Sequence, residues 1–198
     1  MRDREEFYVL CMWGLMKFVA SLLVSWIPFG KLRKSLRMKL LHRIYSLRIT
    51  RKAKRVGAGL RVGNVSSVTR FTEIGDNVTL NGVSITGAGK VVIGSHTKIG
   101  GGTRIISQNH NYESDKLPYG DDYVLKDVLI GDAVWVGMNV LILPGANVGE
   151  GAIIQAGSVV HGVIPPCAIA GGNPAKVFAW RDKDRYERLK KESSYIRL

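Results

Sequence analysis

A short aliphatic residue recurs at every sixth position through most of the chain. The residues on this spacing are Val62, Val68, Ile74 and Leu80, then Ile93, Ile99 and Ile105, then Ile130, Val136, Ile142, Val148, Ile154 and Val160. A period of six differs from the 3.6 of an α-helix and from the 2 of an isolated strand. It is the period of a hexapeptide β-helix, in which each hexad supplies one short strand and one turn.

Most hexads also place a small or β-branched residue four positions after the aliphatic one, such as Thr97 and Thr103. Turn formers (glycine, aspartate, asparagine and serine) lie between them. Three hexads, about 18 residues, make one triangular coil whose aliphatic residues point inward and stack on the next coil. The alternative is a set of unrelated half-buried strands, which the six unbroken hexads from Ile130 disfavour.

The period breaks at two places. An interval of 13 residues after Leu80 predicts one extra residue within 86–90. An interval of 25 residues after Ile105 predicts a loop, residues 109–127, that leaves the prism. This loop is polar and aromatic, and long loops on compact scaffolds are often functional.

Charge divides the chain of 198 residues, which carries 29 Lys and Arg against 16 Asp and Glu. Residues 1–55 hold 14 basic and 3 acidic side chains, whereas the remainder is nearly balanced. We therefore predict a basic helical arm over 1–55, a β-helix domain over 56–175 and a C-terminal tail with a short helix over 176–198. The charge alone would fit a nucleic-acid binder, but the apolar content of the arm favours lipid over nucleic acid as its partner.

The arm has an apolar part, Phe7–Phe29, and a basic amphipathic part. The apolar stripe of the second part consists of Leu32, Leu36, Leu40, Ile44 and Leu47. Such a helix is typical of proteins that lie on an anionic membrane, so residues 7–55 predict peripheral or monotopic attachment at the inner face of the cell membrane. For the apolar part an in-plane or re-entrant helix is favoured over a single span, a helix packed on protein, and a cleaved signal peptide.

The end of the chain changes character. The segment Pro165–Lys176 predicts a proline-bounded loop that ends the coils. The charged segment Asp182–Lys190 predicts a short helix with Asp182 as its N-cap.

One histidine differs from the other three in its context. His110 begins the predicted loop, between Asn109 and Asn111. The others lie in the basic helix or in hexad turns: His42, His96 and His161. The histidines and the two cysteines form no metal-spaced cluster, so no metal is predicted. His110 is the candidate for acid–base chemistry, because an imidazole can take a proton near neutral pH.

An ordered set of motifs covers nearly half of the chain. They are Gln-Asn-His at 108–110, Ile-Gly-Asp-Ala-Val-Trp-Val-Gly at 130–137, Pro-Gly-Ala at 144–146, Ala-Gly-Ser-Val-Val at 156–160, Ile-Pro-Pro at 164–166 and Ala-Gly-Gly-Asn-Pro-Ala-Lys at 170–176. In this order they resemble the hexapeptide-repeat O-acetyltransferases, the group of maltose, galactoside and colanic-acid acetyltransferases. The resemblance implies a left-handed β-helix, a homotrimer and acetyl-CoA as co-substrate.

The resemblance also implies roles for individual residues. His110 would be the general base, and Asn81 would contact the acceptor. The groove for acetyl-CoA would be lined by Trp135, Met138, Ala156 and Gly157, with Lys176 near the CoA phosphates. Many members of the group have a small polar residue in place of Met138 and Thr-Lys in place of 161–162. Arg181 could then supply the phosphate contact.

The sequence thus predicts O-acetylation of a sugar hydroxyl, with a membrane-linked glycan of surface polysaccharide synthesis as the acceptor. A soluble small acceptor (a free sugar, a nucleotide sugar or an antibiotic) and a non-catalytic trimeric scaffold are the alternatives. A hexapeptide-repeat carbonic anhydrase would need three zinc-binding histidines with two closely spaced, which the sequence lacks. A serine acetyltransferase would carry a larger helical N-terminal domain.

Overall fold

A computed structural model describes the backbone of residues 30–196 and the side chains of residues 35–196. The predictions for Phe7–Phe29 therefore lie outside the described residues. The elements are α1 (Gly30–Lys52), β1 (Arg55–Val56), β2 (Arg61–Asn64), β3 (Thr72–Ile74), β4 (Thr79–Asn81), β5 (Ser84–Thr86), β6 (Val91–Ile93), β7 (Lys98–Ile99), β8 (Arg104–Ile106), β9 (Gln108–His110), β10 (Tyr123–Leu125), β11 (Val128–Ile130), β12 (Trp135–Val136), β13 (Leu141–Ile142), β14 (Asn147–Val148), β15 (Ile153–Ile154), β16 (Val159–Val160), β17 (Val163–Ile164), β18 (Ala168–Gly172), β19 (Ala175–Trp180) and α2 (Lys183–Lys191).

Three sheets with parallel strands form the faces of a triangular prism. Face A has the order β1-β3-β6-β11-β14-β17, face B the order β2-β4-β7-β12-β15-β18-β19, and face C the order β5-β8-β13-β16. The chain visits A, B and C in turn, so each circuit is one coil. All the aliphatic residues on the six-residue spacing are at most 2% exposed, which confirms the predicted core.

The buried hydroxyls connect neighbouring coils. Thr97 Oγ1 donates to the Gly131 carbonyl at 2.8 Å and accepts from the Val134 amide at 3.2 Å. Thr103 Oγ1 donates to the Gly137 carbonyl at 3.2 Å. A buried hydroxyl must find such partners, because an unpaired one costs about 1–3 kcal/mol.

The first break in the period differs from the prediction. Ile85, and not Thr86, fills the interior position and pairs with Ile105 on the next coil, while Val83 fills the buried position before it. The interval from Leu80 to Ile85 is therefore one residue shorter than a hexad. The interval from Ile85 to Ile93, which contains residues 86–90, is two residues longer than a hexad, whereas one extra residue was predicted.

Helix α1 closes the first coil of the prism. Leu41, Tyr45 and Ile49 form its buried face and join the core of the β-helix. Of the predicted apolar stripe, Leu40 is partly buried against the core, whereas Leu36 is 39% and Leu47 is 55% exposed. The helix therefore has two apolar faces, of which one packs on the prism. Within residues 30–196, neither helix combines the length and the apolar character that a bilayer crossing requires.

The end of the β-helix is a hairpin rather than the predicted loop. Strand β18 continues face B, and β19 pairs with it antiparallel as the edge strand. The carbonyl and amide groups at the edge of β15 are thus covered by β18, and those of β18 by β19. Asp182 caps α2 as predicted, because its side chain accepts from the Arg185 amide at 2.9 Å.

Candidate functional site

His110 ends β9, where the predicted loop leaves the prism at the edge between faces C and A. Strands β9 and β10 form an antiparallel hairpin in which His110 pairs with Tyr123. Buried Ser107 joins the start of this hairpin to the prism. The Ser107 amide donates to the Thr86 carbonyl at 3.0 Å, and the Ser107 carbonyl accepts from the Lys126 amide at 3.1 Å. The hairpin therefore starts from a rigid coil.

The lengthened segment 86–90 also binds this loop. The Ala88 amide donates to Gln108 Oε1 at 2.9 Å. The Lys90 amide donates to Asp127 Oδ1 at 2.9 Å. The irregularity in one coil thus binds both ends of the loop that leaves the next coil.

Two tyrosines hold the ring of His110. The Tyr119 ring is stacked on the imidazole with centroids 3.8 Å apart, and the Tyr123 ring lies at 4.7 Å with a tilt of 38°. Within the described side chains, the imidazole has no hydrogen-bond partner and no carboxylate orients it. Both ring nitrogens are thus available, and aromatic stacking sets the plane of the ring.

Hydrogen bonds within the loop place Tyr119 next to His110. The Asn111 side chain donates to Asp122 Oδ2 at 3.0 Å, and the Asn111 amide donates to the Asp122 carbonyl at 3.2 Å. The Gly120 amide donates to the Asn111 carbonyl at 2.8 Å. The sequence marked this loop as aromatic, but only the hairpin register brings these two tyrosines to the histidine.

The predicted acceptor residue and part of the predicted CoA groove meet at the edge between faces B and C. Asn81 is the last residue of β4 and is exposed. Its side chain covers Gly63, since a Cβ added at Gly63 would lie 3.0 Å from Asn81 Oδ1. A side chain at Gly101 would lie 3.8 Å from Asn81 Nδ2 and 3.9 Å from Met138 Cε. Asn81 and Met138 therefore flank the same glycine.

The remaining CoA candidates continue along this edge and onto face B. The Gly157 amide donates to the Met138 carbonyl at 2.8 Å, so Ala156 and Gly157 stack directly on the coil of Met138. Trp135 projects from face B, 57% exposed, between Lys98 and Ile153. Open space lies beside Gly157, because no described residue other than its two chain neighbours has an atom within 4 Å of a Cβ added there.

Lys176 and Arg181 have different surroundings. Lys176 is exposed on β19, opposite Gly171. Arg181 Nε donates to the Gly151 carbonyl at 2.6 Å, and its guanidinium lies 5.9 Å from the Tyr186 ring. Arg181 therefore fastens the C-terminal segment to the prism, and Lys176 is the more available cation.

The predicted residues form two groups on different edges of one chain. His110 lies at the edge between faces C and A. The acceptor and CoA candidates lie on face B and at its edge with face C. Face C separates the two groups within a single prism.

Two further observations bear on the chemistry. Burial raises the pKa of the Cys167 thiol, which disfavours a thiolate there. No group of three His, Cys, Asp or Glu side chains in the described part of the chain is placed to hold a metal ion.

Comparison with known proteins agrees with this architecture. Residues 127–162 match the family model for the bacterial transferase hexapeptide (six repeats). YvoF of Bacillus subtilis, named as an acetyltransferase, is 38% identical over 104 residues, which are 52% of this chain and 55% of that protein. WbbJ of Escherichia coli, named as a lipopolysaccharide biosynthesis O-acetyltransferase, is 35% identical over 130 residues, or 61% and 65%. The chain thus spans between about half and two thirds of these relatives.

Solved structures share the fold. The hexapeptide-repeat acetyltransferase VCA0836 of Vibrio cholerae, complexed with acetyl-CoA, superposes with a TM-score of 0.59 at 22% identity, covering 83% of this chain and 85% of that one. A galactoside acetyltransferase in complex with coenzyme A gives 0.59 at 22% identity, covering 87% and 84%. At this identity the likeness concerns the fold. The predicted left-handed parallel β-helix and the predicted resemblance to hexapeptide-repeat acetyltransferases are confirmed.

Proposed function

Since the chain is a left-handed β-helix of transferase hexapeptide repeats, we propose that it is an O-acetyltransferase that moves the acetyl group of acetyl-CoA to a sugar hydroxyl. The observation that carries the proposal is His110. Its imidazole lies where the loop leaves the prism, stacks on Tyr119 with the Tyr123 ring tilted beside it, and has no hydrogen-bond partner among the described side chains.

The proposed reaction is a direct transfer. A nitrogen of His110 accepts the proton of the acceptor hydroxyl as its oxygen attacks the thioester carbonyl of acetyl-CoA. The carbon–sulfur bond then breaks, and the CoA thiolate takes the proton from the imidazolium. The products are an acetyl ester and CoA with a free thiol. No covalent enzyme intermediate is needed, which agrees with the raised pKa of Cys167.

Acetyl-CoA would lie along face B and its edge with face C. Trp135 and Met138 offer exposed apolar surface, and Ala156 and Gly157 leave the groove open. Lys176 would contact the CoA phosphates at the far end. Asn81, next to Met138, would hold the acceptor.

The separation of the two groups supports a homotrimer. His110 of one chain and the groove of a neighbouring chain would form each site, because face C keeps them apart within one prism. A neighbour placed against this groove would bring its own histidine loop to the thioester.

The acceptor we propose is a glycan of surface polysaccharide synthesis at the inner face of the cell membrane. Two observations support it. The relative WbbJ is named as a lipopolysaccharide biosynthesis O-acetyltransferase. Leu36 and Leu47 are exposed beside the basic side chains of α1, as in a helix that lies on a membrane. An antibiotic is the second candidate, because a chloramphenicol acetyltransferase of Agrobacterium fabrum is 35% identical over 121 residues, 50% of this chain and 55% of that protein.

Product analysis tests the proposal. The purified full chain is incubated with acetyl-CoA and either lipid-linked oligosaccharides, free sugars or chloramphenicol, and acetylated products are identified by mass spectrometry. We expect the His110→Ala variant to lose about 10²–10⁴-fold in turnover, the range for a general base. His161→Ala, at an exposed hexad turn, is the matched control and should remain active. Normal turnover of His110→Ala would refute the proposed base.

A further inference from the structure

The outward side chains of face B change character along the prism. Arg61, Thr79, Lys98 and Trp135 follow one another in register across β2, β4, β7 and β12. Parallel strands are about 4.8 Å apart, so the backbones of Arg61 and Lys98 are about 10 Å apart with Thr79 between them. Long cationic side chains can converge across that distance.

Lys98 is the better-fixed of the two cations. Its Nζ donates to the Asn77 carbonyl at 3.0 Å and to Thr79 Oγ1 at 3.1 Å, which leaves one of its three N–H groups unused. Burial lowers the pKa of Lys98, and the charge of Arg61 lowers it further. No carboxylate of the described residues forms an ion pair with either side chain.

A hollow of about 570 Å³ opens beside them. Its walls include Asn77 and His96, and Tyr195 stacks on His96 at 3.8 Å. Among the residues that the structure describes, no acidic side chain lines it. The carboxylate nearest in sequence, Asp76, is engaged elsewhere, since its Oδ1 accepts from the Ala58 amide at 2.7 Å. The hollow therefore holds positive charge without a counter-ion from the described residues.

We infer that Arg61 and Lys98 bind the phosphoryl or diphosphoryl group of the acceptor. This inference rests on the proposed function, because it places the anion beside the acceptor residue. Asn81 follows Thr79 by two positions and Asn77, a wall of the hollow, by four, which are backbone distances of about 7 Å and up to about 13 Å. A sugar ring with the phosphate joined to it spans this range, so Asn81 would contact the sugar while the two cations hold the phosphate.

The subsite differs from the one proposed for the phosphates of CoA. Lys176 lies on β19, four strand spacings from β7, or about 19 Å across the strands. One phosphate group cannot reach both lysines. The acceptor anion and the CoA phosphates would therefore lie at opposite ends of face B, with Trp135 between them.

Calorimetric titration of the purified full chain with inorganic pyrophosphate tests the subsite without requiring turnover. We expect Lys98→Gln and Arg61→Gln each to weaken pyrophosphate binding roughly tenfold, as for the loss of one charge-assisted hydrogen bond. Arg104→Gln is the matched control, because Arg104 is exposed on face C of the same coil. Equal binding by all four proteins would overturn the inference. Arg61 is exposed, so its variant remains informative if Lys98→Gln unfolds.

Acetyl-transfer kinetics distinguish a nucleotide-linked acceptor from a lipid-linked one. KM is compared for a nucleotide-linked sugar, a polyprenyl-diphosphate-linked sugar and the same free sugar. We expect Lys98→Gln to raise KM for whichever of the two diphosphate-linked sugars the protein acetylates. KM for the free sugar should stay unchanged. An equal change for all three would overturn the inference even if transfer occurs. Pyrophosphate binding that depends on Lys98, without any transfer, would instead refute the proposed function alone.

Discussion

At the scale of single residues, aromatic stacking orients the proposed base. Many catalytic histidines are oriented by a carboxylate, whereas His110 contacts Tyr119 and Tyr123. An aromatic pair contributes about 0.5–1.5 kcal/mol beyond its buried area. Stacking fixes the plane of the imidazole while leaving both nitrogens free to bind a hydroxyl.

Tyr119 is therefore expected to act as a positioning residue. Tyr119→Leu removes the stacked ring and should lower kcat about tenfold, since a misplaced base transfers protons less efficiently. Tyr119→Phe retains the ring and should restore kcat. KM for acetyl-CoA should change little in both variants, because Trp135, Met138 and Lys176, which would hold most of the CoA, stay intact. Steady-state kinetics measures both parameters, and equal kcat values for the two variants would contradict a role in orientation.

The sequence singles out His110 as the candidate base but not the tyrosines beside it. His110 was predicted because the period of six stops just before it. Tyr119 and Tyr123 lie 9 and 13 residues later in an irregular loop. Their approach depends on the hairpin pairing of β9 with β10 and on the bonds of Asn111, for which the repeat gives no rule.

At the scale of elements, α1 presents two surfaces with different tasks. Its inner face covers the apolar end of the first coil through Leu41, Tyr45 and Ile49. Its outer face exposes Leu36 and Leu47. The predicted stripe combined Leu40, which packs on the core, with the exposed Leu36 and Leu47, because the inner face is defined by the coil on which it packs.

The outer face of α1 should contribute to membrane binding. The double variant Leu36→Ser/Leu47→Ser should reduce partition of the full chain onto anionic vesicles at least tenfold, because each buried leucine contributes about 1.5–3 kcal/mol. Val163→Ser is the matched control, since Val163 is 71% exposed on face A. Vesicle co-sedimentation measures the partition. Unchanged partition of the double variant would show that this face does not contact lipid.

Helix α2 is anchored by one carboxylate. Glu150 accepts from the Tyr186 hydroxyl at 3.0 Å and pairs with Lys190. The hydrogen bond from Lys190 lowers the pKa of Glu150, and the bond from Tyr186 adds to the effect. Burial and Glu150 raise the pKa of Tyr186, so its hydroxyl remains a donor.

Glu150→Gln should lower the thermal midpoint of the protein by a small amount at pH 7. A carboxylate with a lowered pKa in the folded state contributes stability above its unfolded pKa and loses it as pH falls through the folded value. The difference from the unmutated protein should therefore shrink below about pH 4.5. Calorimetry between pH 3 and 7 measures it, and a constant difference would mean that the charge of Glu150 is not involved.

The hairpin of β18 and β19 was not predicted because local signals oppose it. Gly171, Gly172 and Pro174 are typical of loops. The strand forms because β15 would otherwise expose unpaired backbone groups at the edge of face B. A requirement of the neighbouring strand thus overrides local propensity.

At the scale of the whole molecule, the prism was the most predictable feature. Six consecutive hexads fix the coil, the inward residues and the order of the faces, because each coil repeats the previous one. The assembly is a different matter. A repeat specifies how coils stack, but the surfaces that join two prisms depend on exposed side chains such as Trp135 and Met138.

The division of the site between two edges leads to a complementation experiment. His110→Ala removes the base and leaves the groove intact. Ala156→Trp fills the exposed groove and leaves the base intact. Each protein alone should be inactive, and His161→Ala mixed with His110→Ala serves as the reference for exchange between active and inactive chains.

Activity should return when the two inactive proteins exchange subunits. If each site takes its base from one chain and its groove from the next, random trimers contain both intact halves at about one quarter of their sites. Turnover of the mixture should then reach about a quarter of the unmutated rate. Light scattering should give the mass of three chains. A site contained within one chain would leave the mixture inactive, because neither chain has both halves, and that outcome would also remove the need for a trimer in the reaction.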